Sequence, residues 1–177
     1  MRRYGTAAFS ALCLTLMILL SSCGNKLDDT SLLDLPAKGI LGMTAQELAD
    51  ADPNLKDKSL HVTEKDMTDG SHRLKYVIVG DAFINGGNWV TTVHYYLVDG
   101  VLDKYEIEYR QSDYSEGDCK RRMEAITNYL DDLYGEASET YVVLGEYMVK
   151  GTAWSIADGV FDMSRQNGGW LLFTYHK

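Results

Sequence analysis

Residues 89–109, WVTTVHYYLVDGVLDKYEIEY, decide how the chain is read. Trp89–Val98 is dense in β-branched and aromatic side chains, Asp99-Gly100 follows, and Val101–Tyr109 alternates again. Asp-Gly tolerates the positive φ that tight hairpin turns require, so the stretch predicts an antiparallel hairpin. A two-residue turn pairs Val98 with Val101; counting outward pairs His94 with Tyr105, Thr92 with Ile107 and Val90 with Tyr109, the side expected to face a core. The opposite face then pairs Leu97 with Leu102, Tyr95 with Lys104, Val93 with Glu106, Thr91 with Glu108 and Trp89 with Arg110. Its second strand is almost all charged. Trp89, Val93 and Tyr95 are therefore expected as a stripe in water.

Further strands are predicted around this hairpin. Upstream they lie near Leu60–Glu64 and Arg73–Ile84, with turns at Asp69-Gly70 and Asn85-Gly86-Gly87-Asn88. Downstream they lie near Tyr141–Met148, Thr152–Ala157, Val160–Ser164 and Trp170–His176, with turns at Lys150-Gly151, Asp158-Gly159 and Asn167-Gly168-Gly169. A turn at Asn167-Gly168 sets Trp170, Leu172 and Thr174 beside Met163 and Phe161 in the core. Leu171, Phe173 and Tyr175 are left on the side of Asp162 and Ser164 as a second aromatic stripe. The two stripes together form the candidate binding face, since tyrosine and tryptophan offer large contact area at low entropic cost.

Two helices punctuate the strands. Thr44-Ala45-Gln46-Glu47 is a capping box opening a short helix that ends near Asp50, ahead of Pro53. A longer helix runs from about Glu116 to Tyr134, stopped by Gly135, with Cys119, Met123, Ile126, Leu130 and Leu133 in one apolar stripe. The order is helix and four strands, then the same again. It predicts an α+β fold of two tandem helix-plus-antiparallel-sheet units, 43–109 and 116–176, within a domain spanning 40–177. The repeated Asn-Gly-Gly before Trp89 and Trp170 supports internal duplication.

The N-terminus carries an address. Arg2 and Arg3 precede an apolar run from Ala7 to Leu20, too short for a bilayer span and suited to an export signal. It ends in Leu20-Ser21-Ser22-Cys23, which resembles the bacterial lipoprotein signal: a leucine, two small residues, and the cysteine that takes the lipid. That resemblance implies cleavage after residue 22 and acylation of Cys23 by palmitate-type chains. A mature chain of 155 residues and net charge −11 would then be held on the cell membrane or the outer membrane, outside the cytoplasm. Residues 23–39 read as a tether, with Leu32, Leu33 and Leu35 able to dock as an extended arm.

Element order is also similar to that of the beta-lactamase inhibitory protein fold. Gly42-Met43-Thr44 opening a short helix after a lipobox resembles the small outer-membrane assembly lipoproteins. Both families act by binding protein, so the resemblance implies an envelope or secreted protein as partner. No functional residue is carried across.

Composition narrows the remaining classes. The chain has 177 residues, is 45% apolar and carries a net charge of −9, without the basic footprint of a nucleic-acid binder. It contains no Gly-x-Ser-x-Gly elbow, Walker loop, His-Glu-x-x-His or Cys-x-x-Cys. His61, His72, His94 and His176 stand singly, and Asp66, Asp69 and Gly70 read as a turn rather than a calcium loop. Cys119, on the helix stripe, reads as a small buried hydrophobe. These features predict a non-enzymatic binding module, without metal or cofactor, in a scaffold or inhibitor role. The alternative is a receptor for a small ligand or glycan, which calls for a concave pocket in place of a flat face.

Overall fold

The structure is a computed structural model that describes residues 27–84, 87–144 and 147–177. Eight antiparallel strands form one sheet: β1 Thr63–Asp66, β2 His72–Val79, β3 Trp89–Val98, β4 Val101–Gln111, β5 Ser138–Leu144, β6 Tyr147–Ile156, β7 Gly159–Gln166 and β8 Trp170–His176. Their spatial order is β1-β2-β3-β4-β8-β7-β6-β5. Three α-helices accompany them among the described residues: α1 Ser31–Asp34, α2 Ala45–Ala51 and α3 Glu116–Tyr134. Short 3₁₀ turns at Pro36–Lys38 and Pro53–Lys56 begin on proline, whose missing N–H costs nothing at a first helical position.

The expectation of two tandem units is corrected by this topology. The last strands of the two halves, β4 and β8, pair antiparallel through Tyr105↔Tyr175, Ile107↔Phe173 and Tyr109↔Leu171. This closes both halves into one sheet over one core. The buried residues of both halves belong to one hydrophobic cluster, so the halves share a core.

Each helix boundary has a local cause. The Thr44 hydroxyl accepts from the Glu47 N–H, and the Glu47 carboxylate accepts from the Thr44 N–H at 2.8 Å, completing the capping box of α2. Ser115 caps α3, and Gly135 ends it. The α3 stripe buries Cys119, Ile126 and Leu130, but Leu133 is exposed. Tyr134 turns inward in its place, and its hydroxyl donates to the Leu33 carbonyl at 2.8 Å.

Docking of the arm is the largest departure from a free tether. Leu32, Leu33 and Leu35 are buried, coiled into α1 and the following 3₁₀ turn rather than extended. Asp28 N–H donates to the Phe83 carbonyl at 2.7 Å, and Tyr105 donates to the Leu32 carbonyl at 3.1 Å. Tyr129 donates to the Asp34 carboxylate. Three leucines buried at roughly 1.5–3 kcal/mol each offset the entropy of fixing so short a segment. The expected signal peptide and Cys23 lie outside the described residues, as do Asn85 and Gly86 of the expected Asn85–Asn88 turn. No helix among the described residues is long and apolar enough to cross a membrane.

Two one-residue register differences invert the predicted faces. Val98↔Val101 and Leu97↔Leu102 pair as expected, but a bulge follows, and Tyr96 pairs with Lys104. Tyr95 therefore lies opposite Tyr105 and Val93 opposite Ile107, apolar on apolar. At the other hairpin the loop is three residues, Asn167–Gly169, with Gly168 and Gly169 both at positive φ. Phe173 then pairs with Met163 and Tyr175 with Phe161 in the core, and Trp170, Leu172 and Thr174 turn to the other face. Two predicted turns also move. Gly151 sits inside β6, and the last hairpin but one turns at Ala157-Asp158.

Candidate functional site

The candidate face named from the sequence is core. Trp89, Val93, Tyr95, Leu171, Phe173 and Tyr175 are each 1% exposed or less, covered by the arm and helices. Their polar tips are used internally. Tyr95 and Tyr76 donate to the Asp52 carboxylate at 2.6 and 2.7 Å, and Tyr175 donates to Asp158. Burial pushes the Tyr76 and Tyr95 hydroxyls far above the ordinary tyrosine range, so both stay protonated donors. Trp89 stacks on Tyr109 at 4.0 Å, beside the buried Arg122–Asp81 ion pair. As an exposed aromatic surface the stripes do not exist, because the bulge and the three-residue loop turned them inward.

The opposite sheet face carries no helix among the described residues, and register aligns its side chains in rows across the strands. One row runs Lys75, His94, Glu106, Thr174, Asp162 and Ala153 across β2, β3, β4, β8, β7 and β6. The next places Arg73, Tyr96, Lys104, His176 and Val160 side by side. Long cations drape over the aromatics here. Lys104 Nζ lies 4.2 Å from the Tyr96 ring centre, and the Arg110 guanidinium lies 4.2 Å from that of Trp170.

On this face the sheet curls into a cleft of about 500 Å³. Its lining joins β4 to β5, strands separated by three others in the sheet, so the face is concave. Gly151 permits the curl. A Cβ there would lie 2.9 Å from the Met163 carbonyl and 3.2–3.3 Å from the Val142 and Thr140 methyls. Asp162 and Thr174 form one side of the cleft with Glu106, Lys104 and His176, and Tyr141, 57% exposed, stands at the opposite wall.

The chemistry of the cleft centres on Asp162. It is only 6% exposed, on a sheet face that no helix among the described residues covers. Oδ2 lies 3.2 Å from His176 Nε2, whereas Oδ1 is buried with no hydrogen-bond partner. Ser164, two residues along the same strand, is 1% exposed with an unpartnered hydroxyl. Desolvation raises the Asp162 carboxyl above the usual carboxylate range, opposed by the nearby His176 and reinforced by Glu106. Lys104 pairs with Glu106 at 3.0 Å. The cleft thus holds the Lys104–Glu106 ion pair and, on the other side of Thr174, a carboxylate with one oxygen bonded to His176 and one unpartnered, an arrangement able to accept hydrogen bonds from a donor-bearing ligand.

His72, His94 and His176 lie on β2, β3 and β8. His72 packs between Asp66 and Glu64 at the charged edge strand, and its hydrogen bond to Asp66 raises its pKa. His94 lies on the uncovered face rather than in the core, 3.5 Å from Glu108. Cys119 is buried, and burial pushes its thiol pKa up. Among the described residues no three His, Cys, Asp or Glu side chains converge to hold a metal. Sequence reasoning missed Asp162 and its neighbours as a site; the available signal was an aspartate at the centre of the short apolar strand Val160–Ser164. No family model, curated protein or solved structure matches the chain.

Proposed function

We propose that this is a non-enzymatic binding protein, anchored outside the cytoplasm through a lipid on Cys23, that holds another envelope or secreted protein against its uncovered sheet face. The observation that supports this reading is a sheet face with no cover of its own that nevertheless buries Asp162 and Ser164 with unpartnered oxygens. Buried polar groups are ordinarily satisfied, so this face has the character of one half of an interface. The anchor fits the arm. Only five residue steps lead from Cys23 to Asp28, the first of the described residues hydrogen-bonded to the domain, at most about 18 Å of chain. The Phe83 corner then sits close to the bilayer, and the cleft lies on the opposite side of the sheet from the arm.

A small-ligand receptor is the second reading, favoured by the cleft's volume, which falls within the range of about 300–1,000 Å³ usual for such sites. A photo-crosslinking residue at Tyr141, irradiated in living cells of the native host, tests the first. One discrete protein adduct is the expected result. Absence of any adduct there and at Lys104 would remove the protein-binding reading and leave the receptor.

A further inference from the structure

Resting on the reading of the cleft as the recognition site, we infer that the group it takes is a primary ammonium on an apolar stem, either a free amine or a lysine side chain of a partner protein. Three features of the lining support this. First, the fixed charges beside Thr174 are Lys104, Glu106 and Asp162, one cation against two anions on adjoining strands. Lys104 is already committed, 3.0 Å from Glu106 and seated over Tyr96. Second, Asp162 is an acceptor with spare capacity: Oδ1 has no partner, and Oδ2 has only His176.

The His176 ring can yield, being almost half exposed at the end of β8, where its other nitrogen meets only the Lys177 carbonyl. An ammonium that displaces it brings three donors and a full charge, where a hydroxyl brings one donor and no charge. Third, aliphatic side chains share the lining with these carboxylates. Leu172, Val160 and Val142 line the cleft, matching a methylene stem and not a polyol. A divalent metal fits worse, because Glu106 and Asp162 lie on strands flanking β8 and do not converge.

The test uses the full chain, purified from membranes in detergent, with methyl NMR signals of Thr174, Leu172, Val160 and Val142. It is titrated with n-pentylammonium, with 1-pentanol, and with a capped Gly-Gly-Lys-Gly-Gly peptide and its Nε-acetyl form. Selective shifts with the ammonium probes, weakened about tenfold or more by Asp162→Asn while Ser59→Ala has no effect, support the inference. The peptide responding more strongly than pentylammonium assigns the ammonium to a protein partner; the reverse assigns it to a free amine. Equal response to pentanol and pentylammonium, or a response unchanged in Asp162→Asn, overturns it. If no probe shifts these methyls while the Tyr141 adduct forms in cells, the ammonium assignment fails and the protein-binding reading stands. If neither occurs, both fail.

Discussion

The Tyr95 hydroxyl donates to the Asp52 carboxylate at 2.6 Å, joining the centre of the sheet to the turn that follows α2. The same carboxylate accepts from Tyr76 at 2.7 Å and from the Asn54 backbone and side-chain amides at 3.1 and 2.9 Å. A buried charge surrounded by donors in this way is stable only while the set is complete. Tyr95→Phe keeps the ring and removes one donor, so it should cost about 1–3 kcal/mol in chemical denaturation. A double cycle with Tyr76→Phe should be non-additive, because both serve one acceptor.

The arm is part of the folded core. Leu33→Ala removes a fully buried side chain and should destabilise by about 2–5 kcal/mol, as measured by the denaturation midpoint. A free tether would show no change. Tyr134→Phe, which loses the donor to the Leu33 carbonyl, should cost about 1 kcal/mol and increase hydrogen exchange in residues 30–35.

Asp162 should be a site where stability has been given up. Its carboxyl is raised by burial, so the native state binds the proton more tightly than the unfolded chain does. Stability then falls as pH rises from the ordinary aspartate value through the raised one, and the penalty persists above it. Lys104, Glu106 and His176 on its own side of the cleft and Tyr141 on the opposite wall are the charged or titratable groups that line the cleft with it. Asp162→Asn should therefore raise the melting point at neutral pH, by about 1 kcal/mol in stability, with the gain fading as the pH falls from the raised value and gone below about pH 4. A variant that melts lower at pH 7 would contradict this assignment.

Gly151→Val tests the curl of the sheet. The new side chain meets the Met163 carbonyl and the methyls of Val142 and Thr140, so β5 has to swing away from the cleft. A loss of about 1–3 kcal/mol is expected, with chemical-shift changes concentrated in β5 and at Asp162. Gly168→Val, with open space at its Cβ but a φ of 78°, should be strained without moving β5.

Most element positions were legible in the sequence. Trp89–Val98, Trp170–His176, the capping box at Thr44 and the span of α3 follow from β-branched density, turn chemistry and an apolar stripe, all local signals. What failed was parity. The extra residue on β4, between the partners of Tyr96 and Leu97, and the third residue of the Asn167–Gly169 loop each shift register by one. A shift of one sends every side chain of a strand to the opposite face, so two small local events exchanged core for surface. The sequence held a warning in the pairing it implied: Val93 opposite Glu106 and Tyr95 opposite Lys104 set apolar against charged. The bulge removes that conflict, placing Ile107 and Tyr105 there instead. The joining of β4 to β8 was not readable, because it depends on contact between halves distant in the chain.

The central claim is that the uncovered face, through Asp162, recognises a partner. The most direct measurement places the photo-crosslinker at Tyr141 in the Asp162→Asn background and compares adduct yield with the parent in the same cells. The account predicts that the adduct disappears while the protein accumulates normally and melts no lower than the parent. An adduct of undiminished yield in the Asp162→Asn protein would contradict it.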